Sequence, residues 1–186
     1  MQSNRELFET YNRDVYRTCY YMVHNAADAE DLTQEVFITA FRTNREQIDY
    51  PKAWIMRIAV NQCLNHLRRR RSLQQKVSAN PYLFTGGEDK TVDRLVEDKE
   101  RAEEWAGYMS ALPVKIRAVL TLRYMHDFSL AEISGLLGIP QGTVKSRQHK
   151  GLRLMRKILL NAGIQLEDKE EDSYGSHGKT LKASIK

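Results

Sequence analysis

The chain is poor in cysteine, and the two it has show no metal-ligand spacing. Cys19 and Cys63 each fall on an apolar helical face, so buried free thiols in a reducing compartment are expected and no disulfide is needed. No run of about 18 apolar residues occurs, and no basic-then-apolar leader opens the sequence. Neither a membrane span nor secretion is therefore indicated, and the expected location is the cytoplasm. Catalytic motifs are missing as well. There is no Ser-His-Asp order, phosphate loop or HExxH, and His24, His66, His126, His149 and His177 are scattered without carboxylate partners at ligand spacing. An enzyme is not expected, nor is a metal or a cofactor. Proline is scarce too: Pro51 and Pro113 sit at helix starts, Pro140 forbids continuation of a helix, and Pro81 lies in a polar stretch with no helical period.

What is present is apolar residues at helical spacing and an excess of positive charge. The 186 residues suggest one or two domains, and 41% apolar residues are enough for packed cores. The net charge of +5, with a pI near 9.2, is compatible with a polyanionic partner without identifying it. Residues 4–24 carry Leu7, Phe8, Tyr11, Val15, Cys19, Met22 and Val23 as one apolar stripe, a long first helix. Asp28, with Asp31 in capping-box position, reads as the N-cap of a second helix that buries Leu32, Val36, Phe37, Ala40 and Phe41. The other face of that helix shows Glu30, Asp31, Gln34 and Glu35. A third helix, 51–71, packs through Trp54, Ile55, Ile58, Ala59, Cys63 and Leu67. It leaves Arg57, Asn61, Asn65, His66 and the run Arg68, Arg69, Arg70 and Arg71 outside. Four successive arginines complement the negative end of the helix dipole, and they also suit phosphate binding.

Residues 128–160 are the most informative stretch. Ser129 and Glu132 form a capping box, so a helix starts at Leu130 and buries Leu130, Ile133, Leu136 and Leu137. Gly138 suits a left-handed helix end and Pro140 prevents continuation. Residues 141–143 then open a second helix with an apolar face of Val144, Leu152, Met155 and Leu159. Opposite lie Lys145, His149 and Arg153, flanked by Gln141, Thr143, Ser146, Arg147, Lys150, Arg156 and Lys157, with no acidic residue among them. Gly142, Thr143 and Ser146 are small enough for the helix end to approach a DNA backbone closely. This is a helix-turn-helix pattern, whose second helix enters the major groove with its N-terminal residues nearest the base edges.

Between the helical parts the period fails over 73–98, a linker with several acidic positions, and helix returns at about Arg101 with Trp105, Tyr108, Met109 and Leu112 on one face. A further helix follows Pro113, with Ile116, Val119, Leu120 and Tyr124 on its apolar face. Beyond Gly163 the chain is polar and without period, a disordered tail. The expected organisation is all-α: two small helical domains at 1–72 and 99–162, a linker at 73–98 and a tail at 163–186.

On these motifs the chain resembles the extracytoplasmic-function (ECF) sigma factors of the sigma-70 family, which carry only the second and fourth sigma regions. The resemblance covers about residues 7–160. DAEDLTQEVFITAF is similar to the family's core-polymerase-binding segment, PKAWIMRIAVNQCLNHLRRRR to its promoter-melting and minus-10-reading helix, and SLAEISGLLGIPQGTVKSRQHKGL to its minus-35 reader. Gln148 and His149 depart from the pattern, standing where many members have a leucine and a charged or aromatic residue.

The resemblance implies an alternative sigma factor that binds core RNA polymerase at the β′ clamp helices and the β flap and directs promoter-specific transcription initiation in a stress or envelope response. An anti-sigma factor, membrane-anchored in many members, is the expected inhibitor. The matching positions for core binding are Asp31, Leu32, Gln34, Glu35, Phe37 and Ile38. Those for minus-10 DNA are Arg57, Asn61, Asn65, Arg68, Arg69, Arg70 and Arg71, beside a loop at 43–50 that matches the surface holding a flipped base. Those for minus-35 DNA are Gln141, Gly142, Thr143, Lys145, Ser146, Arg147, His149, Lys150 and Arg153. The alternative is a helix-turn-helix activator, but it would normally add a ligand or receiver domain, and the first 70 or so residues hold only helices where a receiver needs alternating strands.

Overall fold

A computed structural model describes residues 3–79 and 97–165, and every regular element among them is α-helical. The elements form two units, Met1–Ser110 and Ala111–Lys186. Most of the expected linker and of the expected tail, 80–96 and 166–186, lies outside the described residues.

In the first unit α1 (Asn4–Val23) begins at a capping box. The Ser3 hydroxyl accepts from the Glu6 amide at 3.2 Å and the Ser3 amide donates to the Glu6 carboxylate at 2.7 Å. Hydrogen bonding from the Ser3 backbone amide, and then from its side chain, holds the Glu6 carboxyl below its ordinary pKa. His24 closes the helix in the left-handed conformation, and α2 (Ala26–Arg42) follows at once. The cap of α2 is Asn25, whose side chain accepts from the Asp28 amide at 2.8 Å, and not Asp28 itself. Only two residues separate the helices, so the extended residue before Ala26 takes the cap, and Asp28 moves into the first turn where its charge complements the dipole. The third helix, α3 (Pro51–Ala79), runs beyond Arg71 into the stretch expected to be linker. Residues 72–79, SLQQKVSA, lack an apolar period but contain no glycine or proline to stop a helix.

The core of this unit is Leu7, Val15, Cys19 and Met22 from α1, Ala29, Leu32, Val36, Phe37 and Ala40 from α2, and Ile55, Met56, Ala59, Val60 and Cys63 from α3. Met56 and Val60 join the expected residues, whereas Trp54, Ile58 and Leu67 are only half-buried. Phe41, expected inside, is exposed at the end of α2, with its ring 5.8 Å from that of Phe37. A fourth helix, α4 (Glu97–Ser110), buries Ala106 and Met109 and packs on α1. Burial first, and then the nearby Glu103 carboxylate, raise the Tyr20 phenol pKa on α1. Thus α4 joins the first unit, and the boundary falls after Ser110 rather than at 98/99 as expected from the sequence. Of the apolar face expected from the sequence, Met109 is buried in α4, Trp105 and Tyr108 are half-buried, and Leu112 lies beyond the helix in the second unit, while the unit that α4 packs against leaves no sequence signal.

The second unit is a three-helix arrangement of α5 (Val114–Met125), α6 (Leu130–Leu137) and α7 (Gln141–Asn161). The Ser129–Glu132 capping box starts α6, Gly138 ends it at φ 62°, and the Ser134 hydroxyl donates to the Ile139 carbonyl at 2.6 Å, bracing the turn. Ile133 and Leu136 are buried as expected, while Leu130 and Leu137 are half-buried. α5 and α7 approach closely at Gly151, where an added Cβ would stand 2.7 Å from Ile116 Cγ2 and 2.9 Å from Leu120 Cδ1.

Candidate nucleic-acid interface

α7 turns Val144, Gly151, Met155 and Leu159 inward, so the register of the helix is set by its packing. The outward set follows from that register. Gln141, Gly142, Lys145, Ser146, His149, Lys150, Arg153, Arg156 and Lys157 are exposed, while Thr143 and Arg147 are half-buried at the edge of the face. Of the predicted minus-35 residues, therefore, seven share one open surface and two flank it. α7 contains no carboxylate, so nothing on the helix offsets its cations. The residue before the helix, Pro140, provides no side-chain cap, and the amides of its first turn are met only in part by the Pro140 carbonyl.

In the first unit Arg57, Asn61, Asn65, Arg68, Arg69, Arg70 and Arg71 are all exposed along α3. They are not equivalent. Arg68 donates to the Asn65 carboxamide oxygen at 3.1 Å, and Arg70 lies 3.3 Å from an Asp28 carboxylate oxygen that also stands 3.3 Å from His66 Nε2. Asp28 thus ties the start of α2 to the cationic end of α3. His66 is half-buried beside this carboxylate rather than facing outward as the sequence suggested. A contact between residues 42 apart leaves no local signal, which is why it is invisible to periodicity.

On α2 the predicted core-binding residues divide. Asp31, Gln34, Glu35 and Ile38 are exposed, Ile38 to 49%. Leu32 and Phe37, only 4% and 3% exposed, point into the unit and cannot present themselves to a partner. Around the helix they flank the exposed strip of Asp31, Gln34, Glu35 and Ile38 and do not belong to it. Gln62 of α3 braces this helix by donating to the Glu35 carbonyl at 3.3 Å and to the Thr39 hydroxyl at 3.0 Å. Phe8, whose ring is 4.8 Å from that of Phe37, adds exposed apolar surface on α1. Sequence reading missed Gln62 and the exposure of Phe8.

No group of side chains suited to hold a metal ion occurs among the described residues. No helix among them is long and apolar enough to cross a membrane.

Two helical units, one ending in a helix-turn-helix whose second helix shows a cationic outer face, have the architecture of a DNA-binding protein. The family model Sigma-70 region 2 matches residues 7–73 and Sigma-70, region 4 matches residues 108–157. The ECF RNA polymerase sigma factor SigW of Bacillus subtilis is 32% identical over 164 residues, covering 83% of this chain and 87% of SigW. The ECF RNA polymerase sigma factor SigE of Mycolicibacterium smegmatis is 33% identical over 160 residues, covering 86% of this chain and 62% of SigE. The chain belongs to the ECF RNA polymerase sigma factors. The sigma factor RpoE of Bartonella quintana, solved in complex with the anti-sigma factor NepR, has the same fold. Its TM-score is 0.66 at 18% identity, covering 82% of this chain and 94% of that one. Membership of this family sets the activator alternative aside.

Proposed function

We propose that this chain is a cytoplasmic alternative sigma factor that joins core RNA polymerase, directs initiation at a particular promoter class, and is held by an anti-sigma factor until a stress or envelope signal releases it. The observation that carries the reading is the outer face of α7, where Lys145, Ser146, His149, Lys150 and Arg153 stand together in solvent on a helix without a carboxylate. Such a face fits the major groove of a minus-35 element, with Lys145, Ser146 and His149 near the bases and the later cations on phosphates. Asp31, Gln34, Glu35 and Ile38 form the polymerase-facing part of α2, where their charge steers the encounter with the clamp helices of β′ and Ile38 adds apolar contact. The second unit meets the β flap.

Along α3, Arg57, Asn61, Asn65, Arg68, Arg69 and Arg71 engage the displaced strand and its backbone, with Arg70 shared between DNA and Asp28. The RpoE–NepR complex supports an anti-sigma partner for this chain. The test is a pull-down with core polymerase followed by transcription from a promoter library. Stoichiometric association and initiation confined to a shared pair of promoter elements are expected. A chain that binds DNA but leaves core polymerase behind overturns the proposal.

A further inference from the structure

One polar contact in the second unit is used by none of the roles above. Gln148 Nε2, on α7, donates to the Tyr124 hydroxyl oxygen on α5 at 2.9 Å. Gln148 occupies the half-buried side of α7, one turn beyond the buried Val144 and three residues before Gly151, so its side chain is turned toward α5 and away from the open face. The sequence pattern places Tyr124 on an apolar face, yet it is 37% exposed at the end of its helix. A hydroxyl oxygen that accepts one hydrogen bond still carries its own hydrogen. With the oxygen engaged by the amide, that hydrogen is directed away from Gln148, and the accepted bond strengthens it as a donor.

We propose that Tyr124 is a DNA-backbone contact of this helix-turn-helix, donating its O–H to a phosphate, and that Gln148 is the residue that positions it. The inference rests on the reading of α7 as the minus-35 reader. Tyr124 stands beside the middle of that helix, on the flank shared with Lys145, which precedes Gln148 by three residues. A recognition helix in a groove has a phosphate wall along each flank, and tyrosine hydroxyls are among the donors that fix the register of a protein on a duplex. A ring packed at the end of α5 is also held at low entropic cost, with two side-chain torsions to fix.

The test uses the full chain assembled with core polymerase on promoter DNA whose minus-35 element is randomised, at two salt concentrations. Tyr124→Phe removes the donor and keeps the ring, and it is expected to weaken binding about 10- to 100-fold, the range for a single hydrogen bond to a charged group. The loss should be the same for every sequence, with an unchanged salt slope because no charge is removed. Gln148→Leu should weaken binding no more than Tyr124→Phe, and the double variant no more than Tyr124→Phe alone. Arg153→Ala serves as the reference, lowering affinity and flattening the salt slope. Three results overturn the proposal: Tyr124→Phe binding like the parent, a changed base profile in that variant, or a lower melting temperature with unchanged affinity. If Arg153→Ala also binds like the parent, the reading of α7 as the minus-35 helix falls with it; if Arg153→Ala is weakened, only the role of Tyr124 is lost.

Discussion

Gly151 decides how near α7 can lie to α5, because any side chain there meets Ile116 and Leu120 within 3 Å. Gly151→Ala gains about 1 kcal/mol of helix propensity. It loses roughly 1–3 kcal/mol by overpacking against two branched side chains, of which β-branched Ile116 is stiff. A net destabilisation of about 1 kcal/mol is expected, read as a lower urea midpoint at unchanged slope. Cys63 gives a second residue-level prediction. The neighbouring Cys19 side chain, then burial, raise its pKa well above the ordinary thiol value. A raised folded pKa means that the native state holds its proton longer. The contribution to stability is intact below the unfolded thiol's pKa of about 8.5 and is lost as pH climbs from there toward the folded value. Between pH 7.5 and 9.5 the melting temperature should therefore fall less for Cys63→Ala than for the parent. Both thiols, being buried, should resist alkylation until the first unit unfolds.

Among the helices, α2 separates packing from contact within one turn. Phe37→Ala should cost about 3–5 kcal/mol of stability by opening a cavity. Asp31→Lys with Glu35→Lys should leave the melting temperature within a few degrees of the parent and weaken core polymerase binding. Equal core affinity in the charge-reversed variant would remove α2 from the interface. Along α7, Lys145→Ala and His149→Ala should alter base preference by about 1–3 kcal/mol of discrimination. Arg156→Ala should instead weaken all sequences alike and reduce the salt slope by about one. An unaltered sequence profile for both of the first two would move base reading off this helix.

What the sequence made legible at this scale was local. The Ser129–Glu132 box, the Gly138 stop and, on the inner face of α7, Val144, Met155 and Leu159 appear where the spacing put them, while Gly151 takes the inner place expected of Leu152, which is half-buried. The cap of α2 went to Asn25 because two good capping residues stood three apart and the short connection chose between them. The partner of α4, the tie of Asp28 to Arg70, and the Tyr124–Gln148 bond all join residues distant in sequence, where periodicity has nothing to report.

For the molecule as a whole, placing α4 in the first unit predicts how fragments of the chain should melt. A fragment of residues 1–110 should melt several degrees above one of residues 1–96, since only the longer one contains α4, which buries Ala106 and Met109 and covers α1. Equal melting temperatures would return α4 to the second unit. Within the first unit, α3 is loaded unevenly. The last fully buried residue of α3 among those described is Cys63, and Arg70 stands about 10 Å further along the axis at 1.5 Å per residue. If the arginines hold a DNA strand as proposed, that strand would act on an overhanging beam whose fulcrum is the core. Asp28, gripping that beam from α2 at Arg70, is its strut. Torque on a melted promoter would be delivered through α2 as well as α3, so strain arising at the DNA would arrive on the helix proposed to face the polymerase.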